Sequence, residues 1–190
     1  MENKFLAHIA EDGREQTVFE HLAAEFSRPF GGEAQGLLAG TAHDIGKYSA
    51  AFQRRLTGDS RRVDHATAGA FECMGRGQPF AAFAVAGHHG GLPDGGGRRD
   101  GPEAATFWGR IKRAGRGGLE PYGAWAREVS LPGGQPPPFA KQNPGAGMFF
   151  IRMLYSCLVA ADFLDTEDFM SGKPRGSCSG CWKKKAPSIQ

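Results

Sequence analysis

Apolar residues recur at helical spacing along most of the chain. Val18, Leu22 and Phe26 lie four residues apart, which predicts one apolar face of a helix over residues 15–26. Similar patterns predict helices over residues 33–47, 50–56, 64–74, 80–88, 103–113, 120–129 and 148–163. Few runs alternate apolar and polar residues with a period of two, so a sheet is not expected. The pattern predicts an all-α helical bundle.

Glycine and proline interrupt this pattern at two places. Residues 90–101 contain so many glycines that no regular element is expected there, and residues 131–138 form a proline-rich connector. Beyond about residue 169 the composition becomes rich in glycine, serine and lysine. We therefore expect one domain over residues 1–170 and a flexible, basic C-terminal tail over residues 171–190.

Composition and charge exclude several classes of protein. A 40% share of hydrophobic residues excludes a disordered chain. The formal net charge of +3 is too small to indicate nucleic-acid binding by itself. The N-terminus has no apolar region typical of a secretory signal, and the apolar run at residues 147–161 is short for a membrane span. With few cysteines and no disulfide pattern, we expect a cytoplasmic protein without a membrane partner.

The candidate chemistry lies in the histidines. Five of the six histidines, together with two aspartates, form an array whose side chains are typical ligands of divalent transition metals: His21, His43, Asp44, His65, His88, His89 and Asp162. These ligands suffice for two ions at the centre of the bundle, which is the usual arrangement for hydrolysis of a phosphodiester. Asp162 ends a long apolar run, where a buried carboxylate needs a cation.

The alternative to a metal site is that these histidines only pack in the core. A lone histidine on an apolar face is usually a core residue, and one His-Asp pair is weak support. The array as a whole favours a metal site, because one pattern explains almost every histidine. His8 is left over, and a packing or surface role suits it equally well.

At this point the residues resemble the HD superfamily, and within it the nuclease domain of the CRISPR-associated type I effector nuclease-helicase. The motifs that carry this resemblance span residues 7–167. They are Ala7-His8, Glu20-His21-Leu22, His43-Asp44-Ile45-Gly46-Lys47 with Phe52-Gln53, His65, His88-His89-Gly90-Gly91-Leu92-Pro93, and Asp162 with Asp165-Thr166-Glu167. The His-Asp motif alone would indicate only the superfamily, and the other stretches narrow it.

The resemblance implies a dinuclear site and a substrate. One ion would be held by His21, His43, Asp44 and Asp162, and the other by His65, His88 and His89, with Asp44 bridging. It implies two divalent ions of manganese, iron, cobalt or nickel, and hydrolysis of single-stranded DNA. The implied partners are the CRISPR helicase and the surveillance complex.

Two features depart from the family pattern. Ile9 follows His8 where the family often has serine, and the chain ends where the family's helicase usually begins. The stretch at residues 40–47 does not have the spacing of a phosphate-binding loop. A free-standing nuclease, a piece of a longer chain and a truncated relative all remain open.

Further residues are candidates for catalysis and DNA contact. Asp44 and Lys47 are the candidate catalytic residues, and Lys47, Arg98 and Arg99 are candidate contacts to the DNA backbone. Arg98 and Arg99 could equally belong to a mobile flap, and Arg61-Arg62 is a weaker candidate of the same kind. Cys178 and Cys181 have the spacing of a zinc site, but without a second pair we expect an exposed tail.

Three other functions keep the same ligands. The domain could hydrolyse nucleotides instead of a polymer, or use paired iron with oxygen. It could also be a non-catalytic module that binds the CRISPR surveillance complex and modulates recruitment of the full nuclease-helicase. The open glycine segment and its arginines favour a polymeric substrate.

Overall fold

Helices make up most of the computed structural model, which describes residues 6–9, 15–17, 22–58 and 60–171. The α-helices of these residues are α1 (Leu22–Ser27), α2 (Glu33–Ala42), α3 (Ala50–Leu56), α4 (Ala66–Gly75), α5 (Pro79–Gly87), α6 (Phe107–Gly115) and α7 (Pro144–Ser171). Shorter 3-10 turns cover Arg28–Phe30, Ile45–Tyr48, Gly123–Arg127 and Pro138–Lys141. The predicted all-α class is confirmed for this part of the chain.

A short hairpin is the departure from that class. Strand β1 (Leu6–Ile9) pairs antiparallel with β2 (Glu15–Thr17). The predicted helix over residues 15–26 is therefore wrong in its first part, and the described helix begins only at Leu22. Strand β2 forms because it pairs with β1, and the periodicity of residues 15–26 by itself contains no information on that partner.

The predicted helix over residues 33–47 is also interrupted. Helix α2 ends at Ala42, His43 and Asp44 form a turn, and a 3-10 turn follows over Ile45–Tyr48. The break frees the His-Asp pair from the continuous helix. Over residues 120–129 the described structure is only the 3-10 turn Gly123–Arg127.

Other predicted helices agree with the structure more closely. Helix α3 has the predicted bounds, whereas α4 and α5 differ by one or two residues at each end. Helix α6 begins at Phe107 instead of residue 103, because the Thr106 hydroxyl accepts a hydrogen bond from the Gly109 amide and caps the helix. Residues 90–101 contain no helix or strand, as predicted.

Small residues set the distances between the central helices. Helix α5 packs against α2, α4 and α7, and four alanines of α5 are buried at these contacts. On α4, a methyl group added at Gly69 would overlap the carbonyl oxygen of Ala42, so the two backbones lie in direct contact. Larger side chains fill the remaining core, among them Leu38, Ile45, Val85, Phe107, Phe150, Leu154 and Leu158.

Helix α7 has one buried side and one exposed side. Phe150, Leu154 and Leu158 face the core, whereas Phe149 and Phe163 are 59% and 66% exposed. By length and composition alone, Pro144–Glu167 would be able to cross a membrane, but core helices of soluble proteins satisfy the same test. The predicted core role is confirmed for the inward side. The predicted tail beyond Ser171 lies outside the described residues.

Candidate metal centre

Four segments bring the candidate ligands together. His43 and Asp44 occupy the turn after α2, His65 immediately precedes α4, and His88-His89 follow the last residue of α5. The remaining ligand, Asp162, lies in α7. The ends of α2, α4 and α5 converge because these three helices pack against one another, and α7 packs against α2 and α5. Six of the seven predicted metal ligands meet in this way, and His21 lies outside the described residues.

Asp44 belongs to both groups of possible ligands. One group consists of Asp44, His65, His88 and His89, and the other of His43, Asp44 and Asp162. Within each group the ligand atoms lie within 4.8 Å of one another. The two oxygens of Asp44 face different partners: Oδ2 is 3.2 Å from His43 Nε2, and Oδ1 is 3.6 Å from His65 Nε2. The first group could bind a metal ion.

Backbone carbonyls orient two of the imidazoles. His43 Nδ1 lies 2.7 Å from the carbonyl oxygen of Gly40, and His88 Nδ1 lies 2.7 Å from that of Val85. Because a carbonyl oxygen only accepts, each Nδ1 must donate, and each Nε2 faces the cluster. This fixed tautomer is typical of metal-binding histidines.

The donor set fits a metal ion. Within the described residues, four buried side-chain atoms lack a hydrogen-bond partner, and three of them belong to this cluster: Asp44 Oδ1, His65 Nδ1 and His88 Nε2. His65 Nε2 and His89 Nε2 also point at each other at 2.7 Å. Buried acceptors left without donors are costly. A cation held by Asp44 and by the Nε2 side of these imidazoles would satisfy Asp44 Oδ1 and His88 Nε2, two of the three unpaired atoms, whereas His65 Nδ1 lies on the other side of its ring.

Lys47 lies against Asp44. Its Nζ is 2.7 Å from Asp44 Oδ2, and its side chain is only 4% exposed. Lys47 Nζ also lies 5.7 Å from the centroid of the Phe52 ring, and its carbonyl accepts a hydrogen bond from Gln53 Nε2. The Phe-Gln pair seen as a motif thus holds the lysine in place. The Lys47 ammonium would have to leave Asp44 in order to contact DNA. The contact between Lys47 and DNA stays a prediction.

The histidines of the cluster differ in protonation: His65, His88 and His89 are neutral, whereas His43 is protonated. Burial lowers the pKa of His65 to about 4 and also lowers the pKa values of His88 and His89. These three imidazoles are therefore neutral at pH 7, as metal ligation requires. Burial opposes protonation of His43 as well, but the adjacent Asp44 and Asp162 carboxylates outweigh it and raise its pKa to about 10.

The carboxylates remain charged despite their burial. Burial would raise the pKa of Asp44, yet the charges of His43 and Lys47 hold it well below its usual range. The pKa of Asp162 is likewise lowered, because its hydrogen bond with His43 outweighs the effect of burial. The positive charges of His43 and Lys47 thus lie against the negative charges of the carboxylates inside the cluster.

A glycine allows the His-Asp turn to reach His65. A methyl group added at Gly46 would lie 2.7 Å from the carbonyl carbon of His65 and still closer to its Cα and oxygen. Real Cβ atoms essentially never approach within 3.0 Å of a heavy atom outside their own and the adjacent residues. The backbone of the turn therefore lies directly against the backbone of His65, a candidate metal ligand.

Arg110 joins the histidine-bearing segments, although no sequence pattern marks it as a functional residue. Its Nε donates to the Thr67 hydroxyl, its Nη1 to the carbonyl of Ala86 at 2.7 Å, and its Nη2 to Asp64 Oδ1 at 2.9 Å. These partners lie beside His65 and just before His88. One arginine among several on an amphipathic helix carries no sequence signal for this role.

The candidate DNA contacts in the glycine-rich segment lie on the surface. Arg98 and Arg99 are both exposed, and the Arg98 guanidinium lies 5.5 Å from the centroid of the Trp108 ring. The Lys112 ammonium donates to the carbonyls of Arg98 and Asp100, which fastens the segment to α6. These bonds do not favour a mobile flap, and the contact with DNA stays a prediction. Cys178 and Cys181 lie outside the described residues.

No protein family matches the chain, and no curated protein matches it. The resemblance to the HD superfamily therefore depends on the motif residues of the sequence alone.

Proposed function

We propose that the protein is a metal-dependent HD-type nuclease that hydrolyses phosphodiester bonds of single-stranded DNA. The observation that carries this proposal is the position of Asp44, shared between two groups of ligand atoms. A carboxylate shared in this way suits two adjacent ions, which clamp a phosphodiester in many nucleases. His43, Asp44 and Asp162 would hold one ion, with Asp44, His65, His88 and His89 holding the other.

The ions, when bound, would activate water near neutral pH and neutralise charge on the phosphodiester. The protein's own residues prepare that chemistry. The carbonyls of Gly40 and Val85 fix the imidazoles of His43 and His88, so that neither ring must reorient. Lys47 holds Asp44 Oδ2 and acts as a positioning residue.

Access to the centre supports a polymeric substrate. Asp44, His65 and His88 are buried, whereas His89 is exposed. His65 and His89 line an open groove of about 380 Å³ that is also lined by Gly90, Gly91 and further residues. An open groove admits an extended strand, whereas a nucleotide-hydrolysing enzyme usually encloses its ligand.

The proposal includes partners that only the resemblance implies. In this view, the CRISPR helicase supplies single strands, and the surveillance complex recruits the nuclease to its target. The paired ligand groups weigh against a purely non-catalytic docking module, because such a module needs no convergent set of neutral imidazoles.

A cleavage assay with a matched variant tests the function. The wild-type protein is loaded with Mn²⁺, Co²⁺ or Ni²⁺ and incubated with labelled single-stranded DNA, duplex DNA and nucleotides. Asp44→Asn should lower the rate at least about 100-fold, because the shared ligand loses its charge. Glu103→Gln removes one exposed carboxylate outside the centre and should leave the rate unchanged.

Other outcomes decide between the alternatives. Hydrolysis of nucleotides without cleavage of DNA would replace the polymer with a small substrate. Cleavage that persists in Asp44→Asn would reject the metal-centre mechanism. Tight binding to a surveillance complex without cleavage of any substrate would favour the non-catalytic module.

A further inference from the structure

Helix α7 exposes large apolar side chains on the side that faces away from the core. Phe149 and Phe163 are each more than half exposed, and every large hydrophobic residue that the described part of the chain exposes lies on this helix. Exposed apolar residues that share one face of a protein often mark an interaction surface. The exposed side of α7 is therefore a candidate surface for a partner.

These residues belong to one stripe along the helix, which we call the outer stripe. Its exposed members follow one another at steps of three or four residues, which keeps them on one face of an α-helix: Phe149, Arg152, Ser156, Ala160, Phe163 and Glu167. The stripe lies opposite Leu154 and Leu158, which are buried in the core. At a rise of about 1.5 Å per residue, the stripe is about 27 Å long.

The outer stripe carries one charge near each end. Arg152 and Glu167 are both exposed, and neither has an opposite charge three or four residues away along the helix. The ion pairs among the described residues include neither side chain. A lipid surface would bury both charges without partners, which is costly, whereas a protein of matching charge would pair them.

The charges of the stripe match those of a second copy when two α7 helices run antiparallel. Arg152 and Glu167 are equally far from the midpoint between residues 159 and 160. A two-fold axis through this midpoint brings Arg152 level with the partner's Glu167, and Glu167 level with the partner's Arg152. A parallel pair would instead place like charges beside each other, which is unfavourable.

The sizes of the side chains fit the same axis. Ser156 comes level with the partner's Phe163, so a small side chain faces a large ring at two places. Ala160 lies next to the axis and is small enough for the two helices to approach closely. Near each end, Phe149 comes level with the partner's Met170, which places apolar against apolar.

We propose that the outer stripe docks against the outer stripe of a second copy of this chain, with the two α7 helices antiparallel about a two-fold axis. The occupant is a second copy because the order of charge and size along the stripe matches its own reverse. One helix from each copy gives a small interface, so the dimer is weak and transient. The open groove at the metal centre has no α7 residue in its lining, so the dimer contact does not use that lining.

Charge reversal in the full chain tests this pairing. Arg152→Glu places two carboxylates level with each other at both ends of the contact, and Glu167→Arg does the same with two guanidinium groups. The double variant Arg152→Glu/Glu167→Arg restores opposite charges at both ends. Arg116→Glu is the matched control, because Arg116 is also an exposed arginine but follows α6. Sedimentation equilibrium at low salt measures the Kd of each dimer.

The wild-type protein and Arg116→Glu should dimerise with similar Kd. Each single reversal on the outer stripe should raise Kd about tenfold or more, and the double variant should return to within about threefold of the wild type. That recovery would show that the single variants lose the dimer through charge and not through misfolding. A wild-type protein that stays monomeric up to about 0.5 mM, or equal Kd of the single and double variants, would overturn the inference.

Flotation with vesicles of phosphatidylcholine and phosphatidylserine tests a lipid surface as the other occupant. The wild-type protein should not float with the vesicles. A protein that floats with them and stays monomeric in solution would assign the outer stripe to lipid and overturn the inference. These measurements use neither metal nor DNA, so their outcome is independent of the nuclease proposal.

Discussion

Replacement of Gly46 by alanine tests how the turn and the metal ligand depend on each other. The added methyl would lie 2.7 Å from the carbonyl carbon of His65, inside the limit of 3.0 Å for real contacts. The colliding atoms belong to the backbone, so no side-chain rotation relieves the clash. Either the His-Asp turn or the start of α4 must move.

The expected loss in the free energy of unfolding of Gly46→Ala follows from overpacking of a buried site. Such clashes cost roughly 1–3 kcal/mol, and a backbone collision belongs at the upper end, at about 3 kcal/mol. For a domain of this size, the melting temperature should fall by roughly 6–12 °C. Because His65 moves relative to Asp44, affinity for Mn²⁺ should also fall by about 10–100-fold.

Gly75→Ala is the matched control. Gly75 is the last residue of α4, and a methyl group there would meet nothing within 4 Å. Alanine is the better helix former, so this change should be neutral or stabilise by up to about 1 kcal/mol. Calorimetry and chelator competition are carried out on both variants. Equal melting temperatures and Mn²⁺ affinities for the two would refute the close approach of Gly46 to His65.

Three further outcomes are expected. Arg110→Met should weaken Mn²⁺ binding about tenfold or more in chelator competition, because Arg110 joins the segments that carry His65 and His88. Arg116→Met, at an exposed position, should leave the affinity unchanged. Equal affinities of the two variants would contradict this role of Arg110. The pKa of Asp64 is lower in the folded protein than in the unfolded chain, so the ionised Asp64 carboxylate stabilises the fold above about pH 4. This stabilisation is lost as the pH falls through the pKa that Asp64 has in the folded protein. In Asp64→Asn the melting temperature should therefore fall less steeply below pH 4 than in the wild type. An equally steep fall would contradict a stabilising role of ionised Asp64. Metal binding near pH 8 should release a proton from His43, whose pKa is about 10, and calorimetry in buffers of different ionisation enthalpy should show the release vanish above that pH.

The ligand array could be predicted because its chemistry is local. Histidine and aspartate are scarce in a helical core unless paired, and each of the six candidates that converge lies at or near one end of a periodic apolar segment. Convergence of six ligands then required only that these segments pack together. The shared position of Asp44 was implied by the resemblance, and the two ligand groups agree with it.

The remaining features depend on tertiary contacts that periodicity does not contain. The end of α2 at Ala42 and the close contact at Gly46 arise where two backbones meet. The clamp by Arg110 joins three segments that are distant in sequence. Strand β2 (Glu15–Thr17) consists of polar residues, so no apolar pattern marked it as a strand.

The content of transition metal per chain tests the central claim most directly. Protein stripped with a chelator, reloaded with Mn²⁺ and passed through a desalting column is measured by elemental analysis against its concentration. Two adjacent sites that share Asp44 predict a ratio near two. A ratio near one, or retention of no metal at all, would contradict a dinuclear centre.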